Sequence, residues 1–268
     1  MAASNILDYY ARLHTPFLHG AGLTATNQLI CAAKIKEPAK LLEIGCGTGA
    51  SLVHLAHNFP QLELWGVDIS PLMLAKANKR VGICGLSSSI QLQQLNLGQA
   101  LPFPEHQFDY IWIESVLAIQ TTANLLQLFS EIKRVLRPGG QLLMNETLWL
   151  DAAPMSERQR INRFCTEHWG IQQANAEWAS YSKWQALLQQ YGFGISYFST
   201  LEKKDQYAPG CPLKRNYKSA FFDTMGKIKR LIHPKRRRET RNLQALESQV
   251  FRADQQQLDV FLMIAKNS

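Results

Sequence analysis

The chain has no apolar run approaching the roughly 18–20 residues that a membrane-spanning helix requires. Its opening stretch, MAASNILDYYARLH, lacks a cationic flank followed by an apolar core, so no secretory leader is expected. A soluble, cytoplasmic protein is the first expectation. Cysteine is scarce and unpaired in pattern. Cys31, Cys46, Cys84, Cys165 and Cys211 are scattered, odd in number and form no C-x-x-C motif, which argues against a disulfide framework or a zinc site. Free thiols in a reducing compartment, and no bound metal, are therefore expected. Excess charge is also missing from most of the chain. The formal net charge is +8, yet residues 203–241 alone carry thirteen Lys and Arg against Asp205, Asp223 and Glu239, a balance of +10. Basicity belongs to one segment. What is present in quantity is core material: 46% of 268 residues are hydrophobic and 19% charged, enough for one full domain with additions.

The chain is organised around KLLEIGCGTGA at 40–50. Leu41, Leu42 and Ile44 form a buried strand that runs into Gly45, Gly47 and Gly49, and a helix starts near Ser51. Glycines allow φ > 0 and leave no Cβ between the turn and a ligand laid across it. The helix start adds free N–H groups and a positive dipole end. Such turns receive adenosine-containing ligands in many doubly wound α/β proteins. ELWGVDIS is a second strand ending at Asp68, 23 positions after the first glycine, close to the ~20-residue gap at which a carboxylate reaches a ribose.

Residues 1–35 read as helical, with Ile6, Tyr9, Tyr10 and Leu13 at helical spacing. PLMLAKANKRV follows the second strand as a helix with Pro71 in its first turn. IQLQQLNL is a third strand ending near Asn96, FDYIWIES a fourth ending at Glu114, and QLLMNETL a fifth entered through RPGG. Five alternations of strand and helix predict a mostly parallel sheet covered on both faces. ISYFST and LDVFLMIA supply a sixth and a seventh strand. A hairpin could join those two, but about fifty residues intervene. Within them Tyr217, Phe221, Met225, Ile228 and Ile232 fall on one helical stripe with Lys218, Lys227, Lys229 and Arg230 beside it.

E-I-G-C-G-T-G at 43–49, Asp68, LPF and FDYIWIES around the fourth strand, and RVLRPGGQLLMNE into the fifth together resemble a class I S-adenosylmethionine-dependent methyltransferase. The likeness is closest to the small-molecule branch that includes the ubiquinone/menaquinone and sterol enzymes. It implies an α/β, Rossmann-like, doubly wound, seven-stranded and mostly parallel sheet with helices on both faces and lid insertions. The corresponding organisation is one domain over 1–268: a helical cap at 1–35, a donor-binding core at 36–150, and insertions at 151–180 and 207–256 forming a lid. It also implies roles at the site. Glu43 would meet the donor's amino acid end, Gly45, Gly47 and Gly49 would pack on its methionine and ribose part, and Asp68 would bind the ribose hydroxyls. Ile69 would cover the adenine, Asn96 and Leu97 would touch its edge, and Glu114 would face the site. The family often has Asp where this chain has Asn96. S-adenosylmethionine would be the donor and S-adenosylhomocysteine the product.

GCGTGA also fits the G-x-G-x-x-A of nicotinamide-binding oxidoreductases, and a non-catalytic S-adenosylmethionine-binding protein would share the fold. A pyrophosphate, however, has its charge met by a helix N-terminus, and a carboxylate such as Glu43 would repel it. Methyl transfer to oxygen or carbon usually needs a base, whereas a neutral amine does not. His19, Glu114, Glu146 and His168 are the candidates, with His19, Glu114 and His168 foremost and Tyr9 and Tyr10 as hydroxyls over the pocket. Trp169, Trp178 and Tyr181 could line a pocket for a flat or cationic small-molecule acceptor. Trp184, in helical spacing with Leu187 and Leu188, reads as core. The fourth strand ends in IWIES rather than the Asn-Pro-Pro-Tyr type of amino-group methyltransferases acting on adenine or glutamine, which disfavours a nucleic-acid substrate. The basic stretch at 214–241 admits three occupants: the protein's own sheet, an anionic membrane carrying a lipophilic acceptor, or, least favoured, nucleic-acid phosphates.

Overall fold

A computed structural model of the chain describes residues 6–96, 98–178, 180–200, 211–251 and 257–268. Seven strands form one sheet: β1 (Ala39–Ile44), β2 (Leu62–Asp68), β3 (Ile90–Gln94), β4 (Phe108–Glu114), β5 (Leu136–Trp149), β6 (Phe193–Thr200) and β7 (Leu258–Asn267). Their order is β3-β2-β1-β4-β5-β7-β6. The first five run parallel, and β7 is antiparallel to both neighbours, β5 and β6. The doubly wound, mostly parallel arrangement expected from the alternation is the one observed.

Nine helices are described: α1 (Ile6–Arg12), α2 (Gly22–Ala33), α3 (Ala50–Asn58), α4 (Pro71–Cys84), α5 (Thr122–Val135), α6 (Met155–Trp169), α7 (Tyr181–Gln190), α8 (Tyr217–Ile232) and α9 (Pro234–Val250). No described helix is long and apolar enough to cross a membrane. Because side chains alternate along a strand, the sheet feeds two cores. Leu42, Ile44, Ile111 and Ile113 face one shared with α5, α6 and α7; Leu41, Leu64, Tyr110 and Trp112 face the other, under α2, α3 and α4. Leu125, Phe129, Ile132 and Val135 make the buried stripe of α5, each contributing about 1.5–3 kcal/mol relative to an exposed side chain. Trp184 is fully buried, as its spacing with Leu187 and Leu188 predicts.

The insertion at 151–180 contains α6, whose buried residues are Ile161, Cys165 and Trp169; a charged run and a stripe four residues apart hide its periodicity. Two expectations are corrected. Cys31 and Cys211 form a disulfide across 180 residues, fastening α2 to the segment that leads into α8, while Cys46, Cys84 and Cys165 stay free. Pairing at that separation leaves no local pattern to read. The predicted stripe of α8 does not lie on the sheet either. Tyr217, Phe221, Met225, Ile228, Leu231 and Ile232 are 39–76% exposed, whereas Ser219, Phe222, Asp223 and Gly226 are buried.

Candidate active site

Two cavities meet at the carboxyl edge of the parallel strands, where open α/β sheets receive ligands. The smaller, about 220 Å³, lies over the β1 turn and is walled by Glu43, Gly45, Gly47, Asp68, Ile69 and Asn96 among others. The larger, about 750 Å³, has Tyr10, Trp169, Gln172, Glu247, Phe251 and Asp259 in its wall. Leu7, Leu18, Ser115 and Ile119 line both and form the partition.

The β1 turn needs its glycines for different reasons. All three have positive φ: 75° at Gly45, 51° at Gly47 and 73° at Gly49. A Cβ on Gly45 would meet Val116 Cγ2 at 2.3 Å, and one on Gly49 would meet Ala77 Cβ at 3.1 Å. At Gly47 nothing lies within 4 Å, so that residue opens onto the cleft. Its N–H donates to Asp68 Oδ2 at 2.8 Å, and the Ser70 N–H donates to Asp68 Oδ1 at 2.8 Å. Asp68 thereby ties the tip of β2 to the turn and keeps a second lone pair on each oxygen for a ligand hydroxyl. Burial raises its pKa, opposed by the N–H groups of Ser70, Gly47 and Ile69.

Glu43 is buried, and its Oε2 has no hydrogen-bond partner. Burial pushes its carboxyl well above the ordinary range, and the nearby Glu114 and Asp68 push it further. An orphaned buried carboxylate oxygen carries a desolvation penalty of about 1–3 kcal/mol or more until a donor reaches it. The cationic amino group of S-adenosylmethionine supplies such a donor, and a pyrophosphate does not. Ile69 is 53% exposed at the cleft, an apolar surface suited to a flat base. Asn96 is exposed and donates from Nδ2 to Gln99 Oε1 at 3.0 Å. Leu97 lies outside the described residues.

Glu114 sits at the end of β4 in a closed network. Its Oε1 accepts from Thr26 Oγ1 at 3.0 Å and Asn145 Nδ2 at 3.1 Å, and its Oε2 accepts from Ser51 Oγ at 2.7 Å. His19 Nε2 lies 3.3 Å from Glu114 Oε2 and 3.1 Å from Thr26 Oγ1, while Asn145 Nδ2 donates to His19 Nδ1 at 2.7 Å. Nδ1 also lies 3.2 Å from the Gly20 carbonyl oxygen. Glu146 is fully buried and accepts the N–H groups of Val116, Leu117 and Ala118 at 2.9–3.0 Å, so it holds the loop after β4. Burial raises its pKa to about 7 against those bonds. Tyr10 and Trp169 line the larger cavity. Tyr9 is buried and bonds Thr240 Oγ1, Trp178 packs half-buried on the main core, and His168 is exposed on α6, stacked on Phe164. None of these last three lines either cavity.

Sequence reasoning missed the joint between cleft and cap. Arg80, fully buried, donates from Nε to the Thr48 carbonyl at 2.9 Å and from Nη1 to Ser219 Oγ at 2.8 Å and Asp223 Oδ1 at 2.6 Å. Its Nη2 reaches the His14 carbonyl at 3.3 Å. One guanidinium therefore connects the glycine turn, the residues after α1, and α8. It also missed Thr26 and Asn145 around His19, and the wall of α9. No local signal announces such contacts.

A model of the methyltransferase domain matches residues 41–140, the stretch from β1 to the RPGG entry of β5. An uncharacterized methyltransferase of Bacillus subtilis, YodH, is 30% identical over 210 residues, 77% of this chain and 83% of that one. A demethylmenaquinone methyltransferase of Thermus thermophilus is 31% identical over 143 residues, which are 53% of this chain and 63% of that one. Among solved structures, phosphoethanolamine N-methyltransferase 2 of Haemonchus contortus, in complex with phosphomonomethylethanolamine and S-adenosylhomocysteine, superposes with a TM-score of 0.68 at 18% identity. That superposition covers 97% of this chain and 56% of the other and speaks for the fold. With YodH 30% identical over 77% of the chain and the domain match at 41–140, the chain belongs to the methyltransferase family, as a class I S-adenosylmethionine-dependent enzyme.

Proposed function

We propose that the methyl acceptor is a small organic molecule with a largely apolar body, held in the larger cavity and presented to the donor across the partition of Leu7, Leu18, Ser115 and Ile119. The observation that supports this reading is that the two cavities adjoin, with those four residues in the walls of both. Ile6, Trp169, Ile171, Phe251, Leu258 and Val260 give the larger wall its apolar and aromatic part, and Gln172, Gln173, Gln244, Glu247, Ser248 and Asp259 its polar part. Such a wall suits a lipophilic molecule with one polar end. The Thermus thermophilus relative acts, by its name, on demethylmenaquinone, which supports a small organic acceptor. The described parts of 151–180 and 207–256 serve as the lid, since α6 contributes Trp169 and α9 contributes Gln244 and Glu247 to the larger wall; residues 207–210 and 252–256 lie outside the described residues.

Bound S-adenosylmethionine supplies a methyl group activated on a cationic sulfur. The chain's own contribution is orientation and exclusion of water, and orientation alone can supply about 7–11 kcal/mol. Glu43, Gly47 and Asp68 would hold the donor's amino acid and ribose ends, with Ile69 and Asn96 at its base. Both ring nitrogens of His19 are engaged, so in this reading Glu114 and His19 position the cleft edge rather than remove a proton. A hydroxyl acceptor would give its proton to Glu247 or Asp259; a neutral amine would need no base. We also assign the 214–241 segment to peripheral contact with a membrane, the place where a lipophilic acceptor is concentrated.

The test is incubation with methyl-labelled donor and a lipid extract, then phase partition and mass identification. Labelled product in the organic phase is expected, with Trp169→Ala slowing its formation and leaving donor affinity within about twofold. Label confined to water-soluble products would contradict the acceptor class.

A further inference from the structure

We propose that the outward face of α8 is a docking surface for an anionic lipid bilayer. This rests on the acceptor reading only for its purpose, not for its evidence. Six large apolar side chains, Tyr217, Phe221, Met225, Ile228, Leu231 and Ile232, share that face and are 39–76% exposed. A contiguous apolar face of this kind marks an interaction site rather than ordinary surface.

The face is held outward by what lies beneath it. Gly226 packs so closely on the residues after α1 that a Cβ there would sit 1.7 Å from the Leu13 carbonyl oxygen. Phe222 stacks on His14 with ring centroids 4.4 Å apart, and Asp223 is locked to Arg80 at 2.6 Å. The helix cannot roll its stripe inward without breaking a buried ion pair, a step that costs about 3–5 kcal/mol when one charge is left unpaired.

Charge selects the occupant. Residues 211–241 hold eleven Lys and Arg against Asp223 and Glu239, a net of +9, more than the whole chain's +8. Asp223 is already committed to Arg80 and Arg215. By helical geometry Lys218 and Lys229 flank one edge of the stripe and Lys227 the other, and Lys218 and Lys227 are exposed. Long cationic side chains beside an apolar stripe place their stems in the interface and their heads among anionic headgroups. Lys235, Arg237, Arg238 and Arg241 extend the exposed basic surface along α9. A second copy of the chain would bring +9 against +9, and phosphates of a nucleic acid would leave the apolar face unused. The same α9 ends in Gln244, Glu247 and Ser248 of the larger cavity, so one helix runs from the proposed bilayer surface to the acceptor's wall.

Vesicle co-sedimentation of the full chain tests this, with phosphatidylcholine vesicles with and without phosphatidylglycerol and no donor or acceptor present. Binding to the anionic vesicles is expected, weakened by salt, and Phe221→Asp/Ile228→Asp should reduce it at least about tenfold. Thermal unfolding and donor binding of that variant should match the parent; if they do not, the milder Phe221→Ser/Ile228→Ser variant is read in its place. Three results would overturn the proposal: no binding by the parent, vesicle binding unchanged in the variants, or a concentration-dependent dimer that the variants abolish. Stronger binding to duplex RNA, unaffected by the stripe variants, would overturn it as well. A wrong acceptor class leaves vesicle binding intact, and a failed docking surface leaves turnover of detergent-dispersed acceptor intact, so the two ideas fail separately.

Discussion

The cleft proposed for the donor and the chamber proposed for the acceptor are built in opposite ways. The cleft takes its working residues from the ends of adjacent parallel strands: Glu43 from β1, Asp68 from β2, and Glu114 from β4, with the glycine turn between the first two. Each of these is placed by the sheet, and the sheet register is fixed by two buried faces. The chamber draws on α1, α6, α9 and β7, which meet only in the folded chain. The first region is therefore specified by short-range spacing, the second by long-range packing. Substitutions should separate them: cleft residues should govern donor affinity, chamber residues acceptor use, and the joint between them stability.

The largest expected effect is at that joint. Arg80→Met leaves Asp223 buried with only the exposed Arg215 beside it, and a loss of about 3–5 kcal/mol in urea unfolding is expected. Arg80→Met/Asp223→Leu should recover much of it, because the buried charge is gone. Next, Asp68→Ala removes the acceptor of two backbone N–H groups and the group proposed for the ribose, and calorimetry should show donor Kd rising on the order of 100-fold. Proton linkage gives a smaller effect. The Glu43 pKa is raised well above its ordinary value, so its carboxylate, the form that meets the donor's ammonium, is lost as pH falls through that raised pKa. Donor affinity should fall about tenfold per pH unit at the steepest, and Glu43→Gln should flatten the profile. The smallest effect is expected at Asn96→Asp, which replaces an exposed residue bonded to Gln99; donor affinity should change by no more than about threefold.

How much of this was legible follows the same division. Strand-and-helix alternation and the glycine turn reveal the sheet, because local periodicity reports burial on one face or two. The donor emerges from Glu43, the glycines and Asp68 for the same reason. Local sequence does not say that Glu114 and His19 would be closed in by Thr26, Ser51 and Asn145, or that His168 would point to solvent. α8 shows most plainly where pattern reading stops. Its apolar stripe predicts a helix correctly, but the docked face is chosen by Gly226, Phe222 and the Arg80–Asp223 pair, partners separated by 143 residues. Periodicity identifies an amphipathic helix and is silent on which face finds a partner. The Cys31–Cys211 bond, 180 residues apart, is hidden by the same distance.

The most direct test of the two-region account is the kinetic split between Trp169→Ala and Asp68→Ala, measured on one identified acceptor. Trp169→Ala should raise acceptor KM about tenfold and leave donor Kd within about twofold, while Asp68→Ala should raise donor Kd on the order of 100-fold and leave acceptor KM within about twofold. Equal losses of donor and acceptor binding in both variants would contradict the separation of cleft from chamber.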